Sequence, residues 1–154
     1  MKAEDHTQWV GAIVTNLAAL ETVLRRYLVA ARSQNAPFPK PGDRDAKKSY
    51  LTGYFFLNEL IKKYHNTLTD QEAKFRVDTR VVGIRDAFAH GRMVTETGLP
   101  FHLWKFGRAS KGRVPVEFSK ELTTDWLKET ALMIEREKEK VVQCFKSRDF
   151  KGLN

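Results

Sequence analysis

Residues 8–32 read QWVGAIVTNLAALETVLRRYLVAAR, and the placing of their apolar side chains decides the class of fold. Trp9, Ile13, Leu17, Leu20, Leu24 and the Tyr27/Leu28 pair recur at intervals of three and four, which lays one stripe along a single α-helix. Glu21 stands beside that stripe, where an ion pair with Arg25 one turn later accounts for it.

Working outward, Pro37, Pro39, Pro41 and Gly42 forbid a regular helix, so residues 33–49 form a long surface loop that also carries Arg44, Lys47 and Lys48. A loop of that length in a compact domain is either mobile or functional. A second helix is expected over 50–64, where Tyr50, Tyr54, Leu57, Ile61 and Tyr64 share a face and Gly53 weakens the first turn. Thr69-Asp70-Gln71-Glu72 fits a capping box, so a third helix should start there, bury Val77, Val81, Ile84 and Phe88, and stop at Gly91. Leu99–Phe106 and Val114–Phe118 are rich in strand formers and predict a β-hairpin over 99–118, confined to edge positions by Pro100 and Pro115. The stripe returns over 122–146 with Leu127, Ala131, Ile134, Val141 and Phe145. There the run Glu135-Arg136-Glu137-Lys138-Glu139-Lys140 reads as a solvated helix face, and a short polar tail follows. The chain is thus expected to be mainly all-α. It should form one domain over residues 1–154, a bundle of four main helices with a small β-hairpin inserted before the last. Leu20, Leu24, Val81, Ile84, Phe88, Leu127 and Ile134 are its expected core.

Composition narrows the function classes. Hydrophobic content of 42% with 30% charged residues describes a folded globule rather than a disordered chain. The single cysteine, Cys144, cannot make an internal disulfide and reads as a small core side chain in a reducing compartment. No Cys/His cluster has metal-ligand spacing, and no cofactor motif is visible, so neither a metal nor a cofactor is expected. The acids of Met1–His6 do not resemble a secretory signal, and no apolar run reaches bilayer length, which together read as cytoplasmic with no membrane partner. The net charge is +8, and residues 1–118 hold nineteen Lys/Arg against twelve Asp/Glu. A positive field of this kind serves solubility and also attracts a polyanion, of which nucleic acid is the commonest.

Chemistry is concentrated in Ile84-Arg85-Asp86-Ala87-Phe88-Ala89-His90-Gly91-Arg92. Arg85 and His90 stand about 140° apart around an ideal helix and about 7.5 Å along it, so they do not face each other. Asp86 and His90 are i and i+4, close enough for the carboxylate to fix the imidazole, while Arg85 is left to hold a phosphate with two parallel hydrogen bonds. Ordinary surface electrostatics at a helix end account for the same spacing. In the expected hairpin, Trp104 and Phe106 either pack on the bundle or stack bases, with Lys105, Arg108, Lys111 and Arg113 holding RNA phosphates.

The segment Arg85-Asp86-Ala87-Phe88-Ala89-His90 resembles the Arg-polar-x-x-x-His signature of HEPN domains, helical bundles of prokaryotic toxins, antiphage systems and RNA-cleaving enzymes. Ala89-His90-Gly91 is similar to the continuation in many prokaryotic members. The resemblance implies a HEPN-like four-helix bundle acting as a metal-independent endoribonuclease through the RNA 2′-hydroxyl. Arg85 and His90 would be catalytic, supported by Asp86 and Arg92, at a site formed where two motif helices meet in a homodimer. It also implies an antitoxin or a nucleotidyltransferase as a partner chain. Some members are not nucleases, so a nucleic-acid-binding or partner-binding module stays open beside the enzyme, as does a structural domain with a chance motif.

Overall fold

A computed structural model describes residues 3–34, 37–95, 98–148 and 150; part of the 33–49 loop and most of the polar tail lie outside these. Among the described residues, four α-helices and three short strands follow in the order α1 (Ala3–Ala31), α2 (Leu57–His65), α3 (Arg80–His90), β1 (Arg92–Val94), β2 (His102–Phe106), β3 (Val116–Glu121) and α4 (Thr124–Ser147). The chain is mainly helical, as its apolar stripes require. It divides into two compact units, Met1–Leu17 with Thr79–Glu135, and Ala18–Asp78 with Arg136–Asn154.

The first unit carries the motif. Ile13 and Leu17 of α1, Val81, Ile84 and Ala87 of α3, Leu103 of β2, and Leu127, Ala131 and Ile134 of α4 are buried. Asn16 ties α1 to α4 by donating from Nδ2 to the Ala131 carbonyl at 3.0 Å. The sheet is antiparallel in the order β1-β2-β3, with Arg92 opposite Trp104 and Trp104 opposite Ser119. Strand alternation gives β2 two unlike faces: Leu103 is buried, while His102, Trp104 and Phe106 emerge on the other side. The expected hairpin is therefore a three-stranded sheet, because Arg92–Val94 adds an edge strand directly after α3. Between β2 and β3, Ser110 and Arg113 exchange backbone hydrogen bonds around Lys111 and Gly112, both at positive φ, the backbone of a tight reverse turn.

In the second unit, Leu20, Leu24, Tyr27 and Leu28 of α1, Leu57, Leu60, Ile61 and Tyr64 of α2, and Val141 and Cys144 of α4 are buried. Cys144 is thus the small core side chain expected. Tyr27 and Tyr64 meet edge to face at 4.8 Å, and the Tyr64 hydroxyl donates to the Phe75 carbonyl at 3.1 Å.

Four expectations are corrected. The helix expected over 50–64 begins only at Leu57, because residues 50–56 form a turn whose carbonyls at Tyr50, Gly53 and Phe55 accept from the Arg25 guanidinium at 2.9, 2.9 and 3.0 Å. Arg25 is held there by all three carbonyls. The capping sequence at Thr69 starts only a 3-10 turn, Asp70–Phe75, and the motif helix begins anew at Arg80. Between them the Val77 N–H donates to His65 Nε2 and the Asp78 N–H to the Glu137 carboxylate, at 3.0 and 2.8 Å, so the backbone finds partners without helix. Glu137 is accordingly buried, although it stands in a run that reads as solvated. Phe88, finally, is only half-buried, because the buried stripe of α3 runs Val81, Ile84, Ala87.

Candidate functional site

The motif occupies the last two turns of α3. Gly91 ends the helix by donating to the Ala87 carbonyl at 2.7 Å, with φ −78° and ψ 174°, an extended conformation that any residue adopts. Glycine is needed there for space: a Cβ would lie 2.7 Å from Leu103 Cδ1 and 2.9 Å from the Trp104 carbonyl oxygen, and would also strike the Ala87 carbonyl. This close approach seats β2 against the end of α3.

His90 is exposed in the final turn, with no hydrogen-bond partner among the described residues. The Asp86–His90 bond expected from their i, i+4 spacing is not formed. The Asp86 carboxylate instead meets Arg85 Nη1 at 3.3 Å through Oδ1 and Lys105 Nζ at 3.9 Å through Oδ2. Lys105 also binds Glu117 at 2.8 Å, and that hydrogen bond, followed by the Glu117 charge and then the Asp86 charge, raises its pKa above the usual lysine value. Lys105, expected on an RNA phosphate, closes an ionic chain from α3 through β2 to β3. Arg85 remains half-exposed beside this chain.

Arg92, placed on β1, is exposed, and its guanidinium lies 5.7 Å from the centre of the Phe106 ring. Arg108, Lys111 and Arg113 are exposed in the loop between β2 and β3. Trp104 and Phe106 do not supply the inward packing, which falls to Leu103. They stand in a row with His102: the His102 and Trp104 rings are 4.3 Å apart at 22°, and the Trp104 and Phe106 rings 6.2 Å apart at 6°. His102 Nε2 lies 2.9 Å from the Ser119 hydroxyl. His102 was legible as a third member from the period-two spacing of His102, Trp104 and Phe106.

Among the described residues no group of three His, Cys, Asp or Glu side chains gathers as a metal site would need, and no helix is long and apolar enough to cross a membrane. The second unit contains a separate cleft of about 440 Å³, lined by Val23, Val29, Phe38, Leu51, Val141 and Phe145. Phe38 comes from the 33–49 loop and lies under the Arg26 guanidinium at 5.4 Å. None of the motif residues reaches this cleft. Comparison of the chain with family models, with curated proteins and with solved structures returns no match.

Proposed function

We propose that this chain is a metal-independent endoribonuclease of the HEPN type that its motif resembles, with Arg85 and His90 as the reacting groups. The observation that carries the reading is His90, exposed at the end of α3 with no hydrogen-bond partner among the described residues, two residues before the exposed Arg92 that opens β1. The 2′-oxygen of RNA bonds to the adjacent phosphorus as the P–O5′ bond breaks, leaving a 2′,3′-cyclic phosphate and a 5′-hydroxyl. An imidazole can take the proton from the first oxygen or give one to the second. A guanidinium stabilises the charge that builds on the phosphoryl oxygens between those steps.

Arg85 and His90 of one straight helix are separated by about 140° around its axis, so the reading places Arg85 of one protomer beside His90 of another in a homodimer. Gly83 and Ala89 are exposed on α3 and keep its surface slim for such an approach. Asp86, held by Arg85 and Lys105, is a positioning residue for Arg85 in this scheme rather than for the imidazole.

The test is cleavage by purified wild type and His90→Ala at matched concentration. Wild type should cut RNA in EDTA, leave 2′-O-methyl RNA intact, and lose turnover in His90→Ala without a change in melting. Arg85→Lys should be severely impaired, since an ammonium keeps the charge but not the two-point contact. Equal cleavage by wild type and His90→Ala sinks the assignment. The aromatic row on β2 favours a second reading, a non-catalytic RNA-binding module, which salt-sensitive binding without turnover would select.

A further inference from the structure

Core packing uses one face of β2, through Leu103, which is 1% exposed. The opposite face carries His102, Trp104 and Phe106 as a continuous row of rings, with Phe106 41% exposed at one end and Arg92 set over it. The adjoining loop, residues 107–115, adds Arg108, Lys111 and Arg113 and contains no acidic residue. From this arrangement we infer that the sheet face binds unpaired bases of single-stranded RNA, which stack against Trp104 and Phe106 while Arg92 and the loop cations hold the flanking phosphates. The inference deepens the ribonuclease reading and rests on it for the choice of RNA over DNA.

Three physical points favour this occupant. Trp104 and Phe106 lie within 6° of parallel, so a base joins the row as one more plane, whatever its identity. A duplex hides its base faces within its own stack, which leaves only unpaired segments able to use such a surface. Four exposed cations around the rings match a phosphate backbone, whereas an apolar protein surface would leave them without partners. The hydrogen-bonding contact between His102 and Ser119 steadies one end of the row. Arg92 lies opposite the middle ring, Trp104, in the strand register with its guanidinium by Phe106, and its Cα is within about 7 Å of that of His90, so a strand on the row leads to the proposed reacting histidine.

The experiment measures fluorescence anisotropy of a labelled 2′-O-methyl RNA of about 12 nucleotides, single-stranded or annealed to its complement. The single strand should bind wild type at least tenfold more tightly than the duplex and quench tryptophan emission. Trp104→Leu and Phe106→Leu should each weaken single-strand binding by about tenfold. Melting curves check that the variants fold, and Phe106→Leu, at an exposed position, carries the test if Trp104→Leu does not. Unchanged binding in the folded variants, or duplex binding equal to single-strand binding, overturns the inference. In that event, cleavage that still depends on His90 leaves the ribonuclease reading intact. Binding that depends on Phe106 and Trp104, with equal cleavage by wild type and His90→Ala, supports the stacking site and overturns the ribonuclease reading alone.

Discussion

Gly91→Ala tests the junction on which the candidate site is built. The added methyl would meet the Ala87 carbonyl, Leu103 Cδ1 at 2.7 Å and the Trp104 carbonyl oxygen at 2.9 Å, and two of these three atoms are backbone. Neither can swing aside as the end of a long side chain would, so either the α3 terminus or β2 must shift. Overpacking of this kind costs about 3 kcal/mol, the upper part of its usual range. For a chain of this size that lowers the melting temperature by about 6–12 °C. Gly11→Ala is the control, because Gly11 lies inside α1 with nothing within 4 Å of a Cβ. It should stabilise by about 0.5–1 kcal/mol through the ordinary helix preference for alanine. Urea unfolding followed by circular dichroism measures both. A Gly91→Ala chain as stable as wild type would refute the claim that space, rather than backbone conformation, demands glycine at this junction.

Acid should weaken the second unit in two steps, read from urea midpoints across pH. Burial and then the Arg76 charge lower the pKa of His65 from its usual 6.5, so the unfolded state binds the extra proton first and stability falls as pH drops below about 6.5. Arg148, followed by the Thr69 N–H, lowers Glu72 from 4.5 to about 2, so its contribution is full above 4.5 and is lost between there and about 2. His65→Gln should remove the first step and Glu72→Gln the second; persistence of either step in its variant refutes that assignment. Arg25→Met should cost about 2 kcal/mol in urea unfolding, because it strips a donor from three carbonyls of the 50–56 turn; a loss below about 0.5 kcal/mol would mean that water replaces it fully. His6 is 3% exposed, packs its ring against Phe101 at 5.3 Å, and leaves Nε2 without a partner among the described residues. His6→Phe should therefore raise the melting temperature by a few degrees, and a lower one would count against the packing argument.

Helix existence was legible wherever an apolar stripe was long, and boundaries failed wherever a distant side chain decided them. The α1 stripe from Trp9 to Leu28 needs no outside information, and the structure extends that helix to Ala3–Ala31. Residues 76–79 also fit the helical period, yet Val77 and Asp78 give their N–H groups to His65 and Glu137, which stand 12 and 59 positions away. A periodicity reading has no access to such partners. The same reasoning covers the 50–56 turn, whose carbonyls are satisfied by Arg25 on a helix that ended at Ala31, well before the turn begins.

Within the candidate site, the failed Asp86–His90 pair shows how a local rule loses to tertiary charge. On an isolated helix an i, i+4 carboxylate and imidazole are neighbours worth only about 0.2–0.5 kcal/mol to each other. Folding sets Lys105 on the inner side of β2, where its ammonium reaches Asp86 and Glu117 at once, and Arg85 adds a second cation on the same carboxylate. Two cations take the carboxylate that the ring would have met, and the imidazole is left exposed. The sequence held the clue in the period-two alternation of residues 102–106, which sends Leu103 and Lys105 to one face and the three rings to the other. What it could not supply was which of those faces meets α3. The close approach at Gly91 decides that, and with it both the ionic chain beneath the sheet and the aromatic row above it.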